Sequence, residues 1–197
     1  TPYVYQGEEL GMTNAYFTEL KDYRDIESIQ YFHEYTEAGI YTPEYMMKCL
    51  MLRGRDNART PMQWEDSHQA GFTEGTPWIR VNSNYKEINA KQQLSDPNSI
   101  FRYYQKLIRL RKEKPVIVYG TFEALYRDHD QIFAYTRTLE GEKLLTVCNF
   151  SEHVAEMEIP EEFQKNAECL ITNLGRKDFG KKVILKPYEA FVLYRNL

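Results

Sequence analysis

A chain of 197 residues is long enough for one large domain or two small ones, each with a buried core. Its 25 Lys and Arg stand against 29 Asp and Glu, a formal charge of −4, so no basic field exists to hold a nucleic acid or an anionic membrane. Aromatic side chains make up 14% of the residues, a share that suits β-rich cores and sugar-stacking clefts alike and so separates neither.

Cys49, Cys148 and Cys169 are odd in number and unpatterned in spacing, which argues against a disulfide framework or a metal site. A cytoplasmic setting is therefore the default expectation, and no cofactor is expected. No run approaches the about 18 apolar residues of a membrane span, and no signal region stands at the front. The first residue, Thr1, is not Met and leads directly into what reads as a buried strand, so the chain is expected to be a piece of something longer.

In chain order, residues 2–6 form a short apolar and aromatic run stopped by Gly7, the pattern of a strand buried in a parallel sheet or barrel. Glu8 and Glu9 follow. Neighbours on an extended chain point opposite ways, so at most one carboxylate faces a ligand; Glu8 is weighed for that role against a structural one.

Residues 25–38 place Ile26, Ile29, Phe32 and Tyr35 at helical spacing, with Gly39 as terminator. Asp25 and Glu27 stand at the helix start, where exposed N–H groups favour carboxylates, so capping is the plain reading of both. His33 has no second His or Cys at ligand spacing and reads as a surface residue. Thr42 as N-cap and Pro43 as first residue open a second, Met-rich helix that ends at Gly54.

Residues 54–64, GRDNARTPMQW, are the most specific stretch. Arg55 and Arg59 supply forked donors with Asp56 and Asn57 between them, the chemistry that fixes vicinal hydroxyls or another carboxylate. The bland alternative is that both arginines tie the loop down by salt bridges.

From residue 65 to 98, Gly, Pro and Asn break every period, which predicts a long ordered loop. Trp64, Phe72, Trp78 and Tyr85 stud it, and pinning of the loop to its own domain is favoured over a sugar platform. Asp96 and Pro97 then open a predicted helix over 98–112 whose stripe includes Ile100, Phe101, Tyr104, Leu107 and Ile108. Its basic opposite face reads as solvated surface, not a nucleic-acid ridge.

Beyond Pro115 the period changes to 2. Runs at 116–119, 121–126, 131–138, 143–150, 154–159, 168–172, 182–185 and 189–195 predict an all-β domain of about eight strands, with Glu140-Gly141 as a hairpin turn. The polar cluster at 127–130, RDHD, falls between two of these strands and reads as a turn, not a catalytic group.

The 54–64 stretch resembles the RDNARTPMQW signature of the α-glucosidases of glycoside hydrolase family 13, the oligo-1,6-glucosidase and trehalose-6-phosphate hydrolase group. TPYVYQGEELGMTN at 1–14 is similar to the last barrel strand and following loop of those enzymes, and AGFTEGTPWIRVNSNYKEINAKQ at 70–92 to their next segment. The resemblance implies α-then-β architecture: residues 1–115 as the C-terminal end of a catalytic (β/α)8 barrel and 116–197 as an antiparallel β-sandwich.

It also implies the C-terminal part of a retaining, exo-acting α-glucosidase acting on short α-glucosides such as α-1,6-linked oligosaccharides. Alternatives are a trehalose-6-phosphate hydrolase, or a non-catalytic carbohydrate- or protein-binding sandwich module. By resemblance Arg55 binds the glucosyl ring in the innermost pocket and Glu27 lines the adjoining subsite. Retention needs two carboxyl groups about 5 Å apart, and the family carries these on earlier barrel strands whose motifs do not occur here. No catalytic residue is therefore assigned, and the isolated chain is expected to be inactive. The expected partners are a short α-glucoside and the N-terminal remainder of the same enzyme, with no nucleic acid or membrane; self-association of the segment is also expected.

Overall fold

In the computed structural model, which describes residues 2–196, helical elements fill the first half and antiparallel strands the second; Thr1 and Leu197 lie outside the described residues. Two units can be distinguished, Thr1–Tyr104 and Gln105–Leu197.

In the first unit, α1 (Ile26–Glu37) begins where Asp25 Oδ2 accepts the Ser28 N–H at 3.0 Å. It ends at Gly39, whose φ of 66° needs no Cβ to accommodate, and which lets the Ile40 N–H turn back to the Tyr35 carbonyl at 3.0 Å. Helix α2 (Pro43–Arg53) starts as its sequence predicts, with Thr42 Oγ1 accepting the Tyr45 N–H at 3.2 Å and Pro43 first. Phe17, Tyr23, Leu50 and Ile79 form the buried core, against which Ile29 and Phe32 of α1 pack. Burial and nearby carboxylates push the Tyr23 hydroxyl up to about 12, and it donates to the Phe17 carbonyl at 3.0 Å.

Three expectations are corrected in this unit. Residues 2–6 are not a strand: no ladder includes them, and Tyr3, Val4 and Tyr5 are exposed. Apolar patterning alone does not make a strand, because its backbone needs hydrogen-bonding neighbours. The long loop contains a short helix, α3 (Ala90–Ser95), capped by Asn89, whose Oδ1 accepts the Gln92 N–H at 2.9 Å. Trp64, Phe72 and Trp78 do not pin the loop either, being about half exposed. Ala70, Ile79, Val81 and the fully buried Gln63 do so, with Gln63 Nε2 donating to the Ile88 carbonyl at 2.6 Å.

Helix α4 (Ile100–Glu113) starts later than predicted. Ser99 Oγ accepts the Arg102 N–H at 3.2 Å, whereas Asp96 accepts the Asn98 N–H just upstream at 2.8 Å. Its predicted apolar stripe is not a buried one, since Ile100, Leu107 and Ile108 are exposed.

In the second unit, residues 116–119 are helical and not a strand. Pro115 occupies the first position of the short α5 (Pro115–Tyr119), where its missing N–H is harmless, and this start overrides the β-branched run that follows. Seven strands follow among the described residues: β1 (Thr121–Leu125), β2 (Ile132–Leu139), β3 (Glu142–Asn149), β4 (Ala155–Glu158), β5 (Glu168–Thr172), β6 (Lys182–Leu185) and β7 (Ala190–Asn196). They form antiparallel sheets of order β1-β2-β3-β7-β5 and β4-β6. Alternation turns Ile132 and Ala134 of β2, Leu145 and Val147 of β3, and Phe191 and Leu193 of β7 toward Met157, Val183 and Leu185 of the smaller sheet. The result is a sandwich with its main core between the two sheets, and Val116, Leu144, Leu170 and Tyr194 form a second buried cluster.

Both Glu140 and Gly141 take positive φ, 43° and 88°, as a two-residue hairpin demands. The 127–130 cluster is the predicted turn: His129 Nδ1 accepts the N–H groups of Gln131 and Ile132, each at 3.1 Å. Immediately before β7, Glu189 is 2% exposed and receives a forked pair from Arg176 at 2.7 and 2.9 Å plus the Lys186 N–H at 2.8 Å.

Candidate functional site

The site grows from the end of α2. The α2 ladder closes with the Gly54 N–H donating to the Leu50 carbonyl at 2.8 Å, and a Cβ on Gly54 would sit 2.6 Å from that same oxygen. Only glycine therefore lets the chain leave the helix here and enter the 3₁₀ turn Arg55–Ala58.

That turn sorts its side chains by polarity of partner. Asp56 is fully buried, and its Oδ2 accepts the backbone N–H of Arg24 at 2.6 Å and of Asp25 at 2.9 Å. Asn57 donates to the Met51 carbonyl at 3.1 Å and accepts the Ala15 N–H at 3.1 Å. Arg59 Nη1 reaches Asp25 Oδ1 at 3.0 Å and Asp56 Oδ1 at 3.6 Å. The turn and the start of α1 are thereby clasped together through two carboxylates and one guanidinium.

Hydrogen bonds from Ser28 first, and from Arg59 after it, hold the Asp25 carboxyl below its ordinary range against the opposing effect of burial. The same pairing with Asp25 raises Arg59. Both groups are charged at neutral pH, so the clasp is ionic there.

The clasp sets Glu27, in the first turn of α1, against Arg55: Arg55 Nη2 pairs with Glu27 Oε2. The two residues singled out by the sequence are thus brought together. Unlike the Arg59 cluster, this pair is open, with side chains 57% and 41% exposed. It lines a depression of about 620 Å³ together with Arg24, Asp25, Gln30 and Arg59. The other Glu27 oxygen accepts the Tyr31 hydroxyl at 3.2 Å. Sequence reading missed Tyr31, although its i,i+4 spacing from Glu27 on a predicted helix was the signal.

Arg55 also borders a second concavity of about 650 Å³, lined by Tyr5, Glu8, Met12, Asn14 and Arg53 among others. Glu8 faces it while accepting the Tyr5 N–H at 3.2 Å, and Glu9 turns to the Gly7 N–H at 2.9 Å. His33 pairs with Glu37 at 3.6 Å. No group of His, Cys, Asp and Glu arranged to hold a metal occurs among the described residues, and none of their helices is long and apolar enough to cross a membrane.

An exposed fork beside a carboxylate is chemically suited to a polyol: it can donate to vicinal hydroxyls while the carboxylate accepts from them. Comparison with known proteins agrees with that chemistry. Residues 1–120 match the alpha-amylase catalytic domain, and residues 132–192 the C-terminal domain of alpha-amylase SusG. The chain is 50% identical over 195 residues to an oligo-1,6-glucosidase of Parageobacillus thermoglucosidasius and 44% identical over 195 residues to a trehalose-6-phosphate hydrolase of Bacillus subtilis (strain 168). Each alignment covers 98% of this chain and 35% of the relative. The crystal structure of Bacillus licheniformis trehalose-6-phosphate hydrolase superposes with a TM-score of 0.94 at 42% identity, covering 100% of this chain and 36% of that one. The chain thus spans about a third of the length of the relatives it matches.

Proposed function

The chain belongs to the alpha-amylase family of glycoside hydrolases, and on that premise we propose that it is the C-terminal part of a retaining, exo-acting α-glucosidase that hydrolyses short α-glucosides such as α-1,6-linked oligosaccharides. Residues 1–115 are read as the end of the catalytic barrel and 116–197 as the sandwich domain. Arg55 is the substrate-binding donor and Glu27 the carboxylate of the adjoining subsite. The observation that carries this reading is their ion pair, left open on a depression while the neighbouring Arg59, Asp25 and Asp56 are consumed by each other.

Arg55 contributes binding and orientation, and its charge-assisted bonds to ring hydroxyls strengthen as the ring distorts toward an oxocarbenium-like transition state. Glu27 restrains the fork and accepts from a hydroxyl of the next unit. The nucleophile and the acid/base are assigned to the portion of the relatives outside this chain, which makes that portion its partner. A cytoplasmic location fits its unpatterned cysteines.

A trehalose-6-phosphate hydrolase is the second reading, favoured by the 44% identical relative of that name. The depression is lined by three guanidiniums, Arg24, Arg55 and Arg59, against two carboxylates, Asp25 and Glu27, so its charge does not separate the two readings. The deciding experiment compares kcat/KM of the whole enzyme for an α-1,6-linked disaccharide and for trehalose 6-phosphate. Preference for the phosphorylated sugar would overturn the first reading.

A further inference from the structure

A line of exposed tyrosines leads away from the Arg55–Glu27 pair. Glu27, Tyr31 and Tyr35 recur every fourth residue and so share one stripe of α1, with the Tyr31 hydroxyl on Glu27 at 3.2 Å. The turn at Gly39 then folds the chain back so that the N–H groups of Ile40 and Tyr41 both donate to the Tyr35 carbonyl, at 3.0 and 3.2 Å. This sets the Tyr41 ring beside Tyr35, and the capped start of α2 sets Tyr45 beside Tyr41. Successive centroids lie 5.9, 5.6 and 4.8 Å apart from Tyr31 to Tyr45. The four residues are 45%, 36%, 45% and 51% exposed.

Such rings combine apolar bodies with hydroxyl tips, the match for a glucosyl unit, whose C–H faces are apolar and whose rim is hydroxylated. The residues interleaved on α1 include Glu34 and Glu37, so the track disfavours an anionic ligand and suits a neutral one. Because the rings restrain one another and their backbone is fixed by the Gly39 turn and the Thr42 cap, little entropy is lost when a ligand covers them.

Resting on the reading of Arg55 and Glu27 as substrate-binding residues, we propose that Tyr31, Tyr35, Tyr41 and Tyr45 form an aromatic track that holds the distal glucosyl units of α-glucosides longer than a disaccharide. Chain-length preference is set there, outside the pocket that binds the scissile unit.

The test uses the whole enzyme carrying this segment and α-1,6-linked glucosides of two and four units. The readout is the ratio of kcat/KM for four units to that for two, in which any general effect of a substitution on folding or chemistry cancels. Combined Tyr35→Ala and Tyr41→Ala substitution lowers this ratio by about tenfold, as expected for lost aromatic contacts, and Tyr41→Phe retains most of it. A ratio within about twofold of the wild type for the Ala variant overturns the proposal. If the ratio holds while light scattering reports a changed oligomeric state, the rings serve a protein contact and the proposal falls. Arg55→Ala separates the underlying reading, because its failure to lower kcat/KM for two units would sink the role of Arg55 while the track is still judged by the ratio.

Discussion

Asp56 Oδ2 accepts the backbone N–H of Asp25 at 2.9 Å, so a fully buried carboxylate in the Arg55–Ala58 turn holds the residue that caps the start of α1. The same oxygen takes the Arg24 N–H at 2.6 Å. Removing it leaves one buried and one partly buried donor without a charged acceptor. Asp56→Ala should destabilise the enzyme by about 3 kcal/mol or more, read from chemical denaturation. A loss under about 1 kcal/mol would mean that water or Arg59 rearrangement replaces the clasp.

What could be read from the sequence divides along the range of the interaction. Thr42-Pro43, Asp25, Gly39 and Glu140-Gly141 act on neighbours within a few residues, and each does in the fold what its residue type predicts. Residues 2–6 and 116–119 were misread for opposite reasons. The first has strand composition without a strand partner, and in the second Pro115 starts a helix before β-branched residues can be extended. The site was legible only through its resemblance. Nothing local links Glu27 to Arg55, and Trp78, one of the four loop aromatics, stays exposed while Ile79 beside it is buried.

Acid should loosen the clasp through Asp25. Its folded-state pKa is depressed, so its contribution is fully present above the ordinary carboxylate value of about 4 and is lost as pH falls through the lower, folded value. Denaturation of the wild type and Asp25→Asn should therefore differ most at neutral pH and converge as pH drops below about 4. A gap that is constant with pH would show that the ionised form of Asp25 is not what matters.

The sandwich has its own buried ion pair. Glu189→Ala would leave Arg176 charged and unpaired and should cost about 3–5 kcal/mol in unfolding free energy. Arg176→Met combined with Glu189→Leu should recover part of that loss, since the desolvation of both charges is removed together. If the double variant is no better than the single one, the Lys186 N–H and Ile184 carbonyl bonds carry the stability instead.

The 197-residue chain by itself should not turn over a chromogenic α-glucoside, because no pair of catalytic carboxylates is assigned within it. With Tyr3, Val4 and Tyr5 exposed, it should also form dimers or larger species at about 10 μM. Activity that survives purification and disappears on mutating Asp128 or Asp130 would return the 127–130 cluster to the catalytic candidates. A monodisperse monomer by light scattering would argue against the expected self-association.

Arg55 and Arg59 share a turn yet should fail differently. If Arg55 holds substrate as proposed, Arg55→Ala in the whole enzyme removes a forked, charge-assisted donor and should lower kcat/KM by about 30- to 1000-fold. Arg55→Lys should rescue little, since a point charge cannot reproduce the fork. The open position of the Arg55–Glu27 pair means that the fold itself should lose little, for exposed pairs add little stability. Arg59 is held by Asp25 at 3.0 Å and stands 3.6 Å from the buried Asp56, so Arg59→Ala should lower the melting temperature and the yield of folded protein. Active-site titration beside thermal unfolding separates the two effects, because molecules that do fold without Arg59 should keep most of their kcat/KM. If Arg55→Ala instead lowers the melting temperature and leaves kcat/KM per active site near normal, Arg55 is a structural residue and the substrate-binding role belongs elsewhere on the depression.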